Sequence, residues 1–360
     1  MARHLGLALL SSLVWSPVTA ETFCVSTAQE LQDALTQAQG NAQNNEIRIE
    51  EGTYFTTNNG SPDLGFHYAN SMPGSLTIIG GWANNCFPTR VRPGAFQTVL
   101  DGSNADRVLA ISAGDGNVDI SISNLTIQSG IAPASANQAG GLLIEGFGTN
   151  AEAGTVSIDR VVFTDNQANY ASALSVDSYD RVDITNSLFH DNMVSISHTV
   201  RVRRNTDSSQ ASYFINNTVV DNIRLGENGT SGVLLSKSGS GGNVAANNIL
   251  WNNVSWDIQF SGTSANQHLL YTTLQNVIGN SGVEVGNSNS NPMLEFDFRL
   301  SVESPAVDTG FEPTPAPDPP PELNWALSSF DLLRMGRVSG SAVDRGAFEL
   351  QDVLFEDRFE

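Results

Sequence analysis

The stretch V-S-I-D-R-V-V-F-T-D-N, residues 156–166, decides the fold because the chain repeats it. Close copies are V-D-I-T-N-S-L-F-H-D-N (182–192), S-Y-F-I-N-N-T-V-V-D-N (212–222) and N-V-A-A-N-N-I-L-W-N-N (243–253), a weaker copy is I-S-I-S-N-L-T-I-Q-S-G (120–130), and a fading one spans 267–277. The last residues of successive copies lie 36, 26, 30, 31 and 24 residues apart. A hairpin cannot fill such a spacing, whereas one coil of a solenoid with loops of variable length can.

Two positions of the repeat are apolar in every copy. Counted back from the last residue, the third position holds Ile127, Phe163, Phe189, Val219, Leu250 and Leu274, and the eighth holds Ile122, Ile158, Ile184, Phe214, Ala245 and Leu269. The first half of each copy alternates apolar and polar residues, as a β-strand does, and no 3.6-residue stripe runs through these segments. Coils stacked about 4.8 Å apart would align these side chains in inward ladders along a continuous core.

The repeat also predicts where each coil bends. The sixth position before the last residue holds Asn124, Arg160, Asn186, Asn216 and Asn247. Asparagine tolerates the left-handed backbone of a sharp bend, and we expect aligned asparagines to hydrogen-bond from coil to coil. The pattern therefore predicts an all-β, single-stranded parallel β-helix, right-handed because crossovers between parallel strands nearly always are. A β-sandwich is the weaker alternative, since no Asn-Gly hairpin turn separates adjacent copies.

The N-terminus predicts export and a capped end. M-A-R-H, an apolar run over residues 5–15 and V-T-A at 18–20 form a signal peptide with cleavage after Ala20; the apolar run is too short to span a bilayer, and no later stretch is long enough. Because an exported protein meets an oxidising environment, Cys24 and Cys86 are predicted to form a disulfide. An amphipathic helix is predicted over residues 28–39, with Ser26 or Thr27 as N-cap, to cover the open end of the solenoid.

The net charge of −21 narrows the possible partners. So acidic a chain disfavours nucleic acid and, without local compensation, any polyanion. A strong negative charge keeps a secreted protein soluble and favours the binding of cations. We expect the protein to be a monomer.

Several further segments carry a resemblance to known families. F-C-V-S-T (23–27), I-R-I-E-E-G-T-Y (47–54) and L-T-I-I-G-G-W (76–82) resemble the opening of secreted bacterial β-helix repeat proteins of the pectate-lyase-like fold. S-P-A-V-D-T-G (304–310), D-L-L-R (331–334) and V-D-R-G-A-F-E (343–349) resemble the choice-of-anchor Q domain, a C-terminal module of exported bacterial proteins. This resemblance implies display at the cell surface and brings no catalytic residues.

The expected organisation has four parts. Residues 1–20 are the signal peptide, 21–297 the β-helix with its cap, 298–350 the anchor-like region, and 351–360 a tail that resembles the aromatic-acidic ends of some exported proteins. The proline-rich loop 312–322 should be extended and exposed.

Asp165, Asp191 and Asp221 precede the last residue of three successive copies. In a β-helix they form a column of like charges, which open solvent, a bound cation or a raised pKa must relieve. Oxygen ligands suit Ca²⁺, and two coils of spacing, about 9–10 Å, fits the carboxylates of an inverting glycoside hydrolase. The interpretation that we favour is a solvated bend made of Asp-Asn.

One cluster of basic residues stands out on the acidic chain: His190, His198, Arg201, Arg203 and Arg204. Alternation puts Arg201 and Arg203 on one strand face, where they could bind sugar carboxylates or sulfate, and Arg204 on the other. Arg201 or Arg203 as the base of a lyase would need a lowered pKa, which arginine resists. The simpler interpretation, again favoured, is a solvated face paired with Asp183 or Asp207.

Aromatic side chains add a possible sugar contact. Trp251 follows the inward Leu250, so it should point outward and be available to stack on a sugar ring. The leading expectation is thus an exported, non-catalytic β-helix protein that contacts a polysaccharide or cell-surface glycan. The alternative is a polysaccharide lyase or glycoside hydrolase, possibly Ca²⁺-dependent, that works at the aspartate column or at Arg201 and Arg203.

Overall fold

In the computed structural model, the chain winds into stacked coils whose strands pair in parallel. The described residues are 20–60, 65–70, 72–87, 94–113, 118–133, 138–146, 154–204, 208–225, 230–262, 266–279, 281–314, 316–317 and 320–351. The predicted signal peptide before Ala20, the predicted tail after Gln351, and Asp207 lie outside these ranges.

Short strands dominate the described part of the chain. In order they are β1 (Ala20–Val25), β2 (Asn44–Glu50), β3 (Gly52–Phe55), β4 (Phe66–Asn70), β5 (Gly74–Trp82), β6 (Thr98–Asp101), β7 (Leu109–Ala113), β8 (Val118–Gln128), β9 (Leu142–Gly146), β10 (Thr155–Thr164), β11 (Gln167–Tyr170), β12 (Leu174–Asp177), β13 (Arg181–Thr185), β14 (Leu188–His190), β15 (Met193–Ser197), β16 (Val200–Arg204), β17 (Ser212–Ile215), β18 (Thr218–Val220), β19 (Ile223–Arg224), β20 (Val233–Lys237), β21 (Asn243–Ala246), β22 (Ile249–Trp251), β23 (Ile258–Gly262), β24 (Gln267–Leu270), β25 (Thr273–Leu274), β26 (Val277–Ile278) and β27 (Val283–Val285). One α-helix, α1 (Ala28–Ala38), and 3-10 turns at Thr56–Asn58, Asn84–Cys86 and Pro321–Leu323 accompany them.

The strands form three sheets. Sheet I runs β1-β2-β5-β8-β10-β13-β17-β21-β24-β27, and a side row of the same sheet contains β3, β6, β14, β18, β22 and β25. Sheet II is β11-β15-β19, and sheet III is β26-β23-β20-β16-β12-β9-β7-β4. From β10 to β16 each coil passes through sheet I, sheet II and sheet III before the next begins. This arrangement is the parallel β-helix that the repeat predicts, with the right-handed sense expected of such crossovers.

The inward ladders are confirmed. In sheet I, Ile158 pairs in register with Ile184, and Ile184 with Phe214. In the side row, Phe163 stacks on Phe189 with ring centroids 4.7 Å apart. All twelve predicted positions are buried within one core cluster that runs along the axis.

The bends are confirmed, but the coil-to-coil ladder uses different asparagines. The predicted bend residues have φ values of 48–59°, in the left-handed region. The main ladder joins the last residues of the copies: Asn166 donates to Asn192, Asn192 to Asn222, and Asn222 to Asn253, each over 3.0 Å. A second pair follows the first bend, where Asn217 donates to Asn248 over 3.3 Å. They lie inside the coil, whereas bend side chains such as Asn216 and Asn247 bond to the C-terminal region outside it.

The N-terminal end is closed as predicted. Helix α1 begins after Thr27, whose side chain accepts from the Glu30 amide, and the Glu30 carboxylate accepts from the Thr27 amide, a complete capping box. The apolar face of the helix, with Leu31, Leu35 and neighbouring alanines, joins the axial core. The predicted disulfide between Cys24 and Cys86 is present.

The C-terminal region packs on the outside of the side row. Leu300, Ala306, Leu332, Ala347 and Phe348 form a second core cluster with outward residues of β10, β14, β18 and β22. Backbone bonds fix the docking, for example from the Gly346 amide to the Asn247 carbonyl at 2.7 Å. The three motif segments of residues 304–349 therefore meet in one network against the solenoid.

Six of the eight described residues of the proline-rich segment 312–322 are exposed, as expected, and the end of the segment contacts sheet I. The Pro321 carbonyl accepts from the Tyr213 hydroxyl at 3.3 Å, and Trp325 packs on the apolar outer face of β17, β21 and β24. Of the loop residues 312–322, only 315, 318 and 319 lie outside the described chain. Among the described residues, no helix combines the length and the apolar character that a membrane crossing needs.

A buried carboxyl makes the docked C-terminal region sensitive to pH. Burial raises the pKa of Glu349 to about 7; the charge of Asp344 adds to the shift, and the guanidinium of Arg337 opposes it. The Glu349 carboxylate also accepts from the Asp344 and Ser339 amides, while its own amide donates to Asp331. The folded chain thus keeps a proton that the unfolded chain, with a pKa of 4.5, releases.

Glu349→Gln should flatten the pH dependence of stability. The raised pKa gives a stabilising contribution that is complete below pH 4.5 and is lost as the pH rises through 7. We expect the melting temperature of the natural protein to fall between pH 5 and pH 8 by more than that of the variant. Glu303→Gln, at an exposed side chain, is the control and should keep the natural slope. Equal slopes in the natural protein and in Glu349→Gln would contradict this assignment.

Candidate ligand-binding face

The three aspartates lie at one bend of successive coils, between the side row of sheet I and sheet II. Asp165, Asp191 and Asp221 have φ values of 55°, 54° and 54°, so each turns the chain through the left-handed region. The Asp165 carboxylate accepts from the Thr164 hydroxyl at 3.0 Å, and Asp191 pairs with His190 at 2.8 Å. Asp221 accepts from the Asn252 amide of the next coil. Their residue type is explained by the bend alone.

The column as placed does not make a shared calcium site. Calcium takes about six to eight oxygen ligands at about 2.3–2.6 Å. The oxygens of Asp165, Asp191 and Asp221 are not all within 4.8 Å of one another, and each carboxylate is engaged with a different neighbour. The three carboxylates as placed therefore do not converge on one metal position.

A second polar cluster lies on the outer face of sheet III. Asp177 of β12 pairs in register with Glu145 of β9 on one side and with Arg203 of β16 on the other. Arg203 Nε lies 2.6 Å from Asp177 Oδ1. Parallel neighbours are about 4.8 Å apart, so two carboxylates and one guanidinium share a short stretch of this face.

Arg201 extends this cluster across the corner between sheet III and sheet II. Its Nη1 donates to Gln138 Oε1 at 3.0 Å. Gln138 forms a parallel backbone β-bridge with Tyr170, at the end of β11. Burial lowers the pKa of Arg201, but arginine stays charged at neutral pH. Among the described residues, this guanidinium has a neutral hydrogen-bond acceptor and no ion-pair partner within 4.0 Å. We call Arg201, Arg203, Asp177, Glu145 and Gln138 the corner cluster.

Ser175 lies directly beneath the corner cluster. It pairs in register with Arg201, between the inward Leu174 and Val176, and its side chain is fully buried. Its Oγ has no hydrogen-bond partner within the described residues. A buried hydroxyl without a partner costs free energy, so the Ser175 hydroxyl is a hydrogen-bonding group beside the corner cluster that the described residues leave unsatisfied.

Two predicted binding residues are enclosed instead of exposed. Arg204 is fully buried and donates to the carbonyls of Gly242, Asp180 and Gln210. His198 is buried too; burial lowers its pKa to about 4, and its ring nitrogens contact Ser197 and Gln259. Neither side chain is therefore available to contact a ligand at the surface.

The aromatic side chain predicted to contact sugar is covered by another part of the chain. Leu250 is buried and Trp251 points outward, as alternation predicts, but Trp251 packs against the C-terminal region. His190 likewise lies against Phe298, with ring centroids 4.4 Å apart. Among the other large apolar side chains, Trp256, Ile196 and Ile223 are exposed.

The aspartate column and the corner cluster lie at opposite edges of sheet II. Asp191 precedes β15 and Arg201 follows it, and five residues of strand span about 16 Å. The two constellations predicted from the sequence therefore do not meet in one cleft.

Sequence reasoning missed Glu145, Asp177 and Gln138. The signal was present as the alternating quartets L-L-I-E (142–145), L-S-V-D (174–177) and V-R-V-R (200–203), which the structure aligns in sheet III. The second and third quartets begin eight residues after the last residue of the preceding copy, whereas the first begins twelve residues after it. A search at constant spacing therefore aligns Asp177 with Arg203 but passes over Glu145.

Comparison with known proteins gives one structural likeness. No family model matches the chain, and no curated protein matches it. The crystal structure of pectate lyase Pel9A is similar over 92% of this chain and 97% of that chain, at 14% sequence identity and a TM-score of 0.45.

Proposed function

We propose that this protein is an exported, non-catalytic β-helix module that binds glycan through the corner cluster. The observation that carries the proposal is Arg201, a half-buried guanidinium that has only a neutral acceptor and lies beside the Asp177–Arg203 pair. Guanidinium and carboxylate groups are the side chains that bind sugar hydroxyl and carboxylate groups by strong, directed hydrogen bonds. The predicted signal peptide and the disulfide support export.

The same residues support binding over turnover. Asp177 is held by Arg203, both guanidinium groups keep their protons, and His198 is neutral with both nitrogens engaged. None of these four groups is placed to supply and recover a proton at neutral pH, so acid–base catalysis at the cluster would have to rely on Glu145. The corner cluster is therefore equipped to hold a sugar in place.

Arg201→Gln should weaken glycan binding by about tenfold or more. A hydrogen bond to a charged group contributes about 1.5–3 kcal/mol, and about 1.4 kcal/mol is a factor of ten in affinity. Binding to a panel of neutral and uronic-acid polysaccharides, with and without Ca²⁺, is measured by calorimetry for the natural protein and the variant. Arg181→Gln makes the same substitution on sheet I, where Arg181 pairs with Asp183; it is the matched control and should bind normally. An unchanged affinity in Arg201→Gln, or no binding to any glycan, would refute the proposal.

One observation favours a second function, that of a glycoside hydrolase or polysaccharide lyase. Glu145 and Asp177 are direct neighbours in register, with backbones about 4.8 Å apart, so two carboxyl groups of adjacent coils stand side by side, and glycoside hydrolases act through such a pair. The same polysaccharide panel distinguishes the two. New reducing ends or unsaturated products that disappear in Asp177→Asn would establish an enzyme; binding without product supports the module.

A further inference from the structure

A tight hairpin in the C-terminal region presents one phenylalanine to solvent. Leu294 and Leu300 form an antiparallel bridge, the Glu295 amide donates to the Arg299 carbonyl at 2.8 Å, and the Phe298 amide donates to Glu295 at 3.0 Å. Leu294, Phe298 and Leu300 belong to the second core cluster, which fixes the hairpin on the solenoid. Phe296 lies at the tip and is 96% exposed.

An apolar groove lies directly beside this tip. Its volume is about 490 Å³, and its lining includes Leu300, Leu333, Met335, Phe348 and Leu350 as well as Phe296 itself. A groove of this size has room for an aromatic side chain. Nothing in the described chain fills it, and Met335 at its rim is largely exposed.

The polar residues at the tip are self-complementary in charge. Asp297 and Arg299 form an exposed pair, with Arg299 Nε 3.2 Å from Asp297 Oδ2. A two-fold axis beside the tip would bring Asp297 of each copy towards Arg299 of the other. The same operation would place each Phe296 in front of the other copy's groove, since an isologous interface uses the same patch twice.

We propose that the groove is the docking site for Phe296 of a second copy of this chain, which forms a two-fold dimer through the C-terminal region. A protruding aromatic that enters an apolar pocket is the usual centre of a protein interface. Phe296 is exposed beside an apolar groove that no described residue fills, which is costly in the monomer, and the dimer removes both surfaces from water. The dimer takes the place of the monomer expected from the charge, and it does not depend on the proposed glycan site.

The net charge of the chain sets the salt dependence of this dimer. Two copies of charge −21 repel each other, and salt screens that repulsion while it leaves the apolar contact intact. Dimerisation should therefore strengthen as the salt concentration rises.

Phe296→Ala tests the proposal by sedimentation equilibrium over a range of protein and salt concentrations. We expect the natural protein to dimerise reversibly and Phe296→Ala to raise the dissociation constant by about tenfold or more. Phe87→Ala, at another exposed phenylalanine, is the matched control and should leave it unchanged. Because Phe296 makes little contact within the monomer, circular dichroism should show the same fold in all three proteins.

Charge exchange provides an independent arm of the test. Asp297→Arg alone should weaken the dimer, and the double variant Asp297→Arg with Arg299→Asp should restore it, because the exchanged pair is complementary again across the axis. A monomer at every concentration, or a dimer that Phe296→Ala leaves intact, would overturn the proposal.

Discussion

Phe189→Ala should lower the free energy of unfolding by about 3–5 kcal/mol, the range for removal of a large buried aromatic side chain. Phe189 is fully buried in the middle of the side-row ladder, stacked on Phe163 at 4.7 Å and in contact with Phe214 at 6.4 Å. Coils above and below prevent the space from closing, because the backbone bonds of both neighbours hold their distance. The lost transfer free energy and the cavity therefore both count.

Urea unfolding followed by circular dichroism measures this loss. Phe87→Ala makes the same substitution at an exposed side chain and should change the free energy of unfolding by no more than about 0.5 kcal/mol. If both variants lost the same small amount, the phenylalanine ladder would not be the support of the coil that we describe.

Asn192→Leu should cost about 3 kcal/mol, although leucine has nearly the same size. The Asn192 side chain accepts from the Asn166 amide group, donates to Asn222, and donates to the Phe163 carbonyl at 2.9 Å. Leucine leaves buried partners in two neighbouring coils without hydrogen bonds, and each orphaned group costs about 1–3 kcal/mol. The effect thus comes from the polar ladder and not from lost volume.

Asn289→Leu, at an exposed position, is the control for this substitution and should be close to neutral. Hydrogen exchange adds a local readout, since the amides of Asn166 and Asn192 bond to the same ladder. Faster exchange confined to these coils in Asn192→Leu is the expected pattern. Protection that remained unchanged there would show that the ladder does not bind adjacent coils together.

The repeat specified the coil because its information is local. The alternation in residues 156–166 predicts which side chains face inward, and residues such as Asn186 and Asp191 predict where the backbone turns. The disulfide and the capping box were equally readable, since each depends on residue types with few alternatives. The asparagine ladders differed in position from the prediction, because bend side chains such as Asn216 point out of the coil and the residues that follow each bend, such as Asn217 and Asn192, point in.

Only part of the candidate site could be predicted from the sequence. Arg201 and Arg203 were correctly placed on the face opposite Arg204, because strand alternation requires it. Glu145 and Gln138 were missed because they come from the preceding coils, and loops of irregular length hide their register.

The sequence by itself determined the repeated coil, the direction of its apolar ladder side chains and the closed N-terminal end. The tertiary structure decided what covers each outward side chain: the C-terminal region lies over Trp251, Trp325 covers the outer face of β17, and Phe296 remains in solvent. The physical reason is that direction follows from backbone geometry within a few residues. Burial depends on segments that lie far away in the chain, and no local pattern contains them.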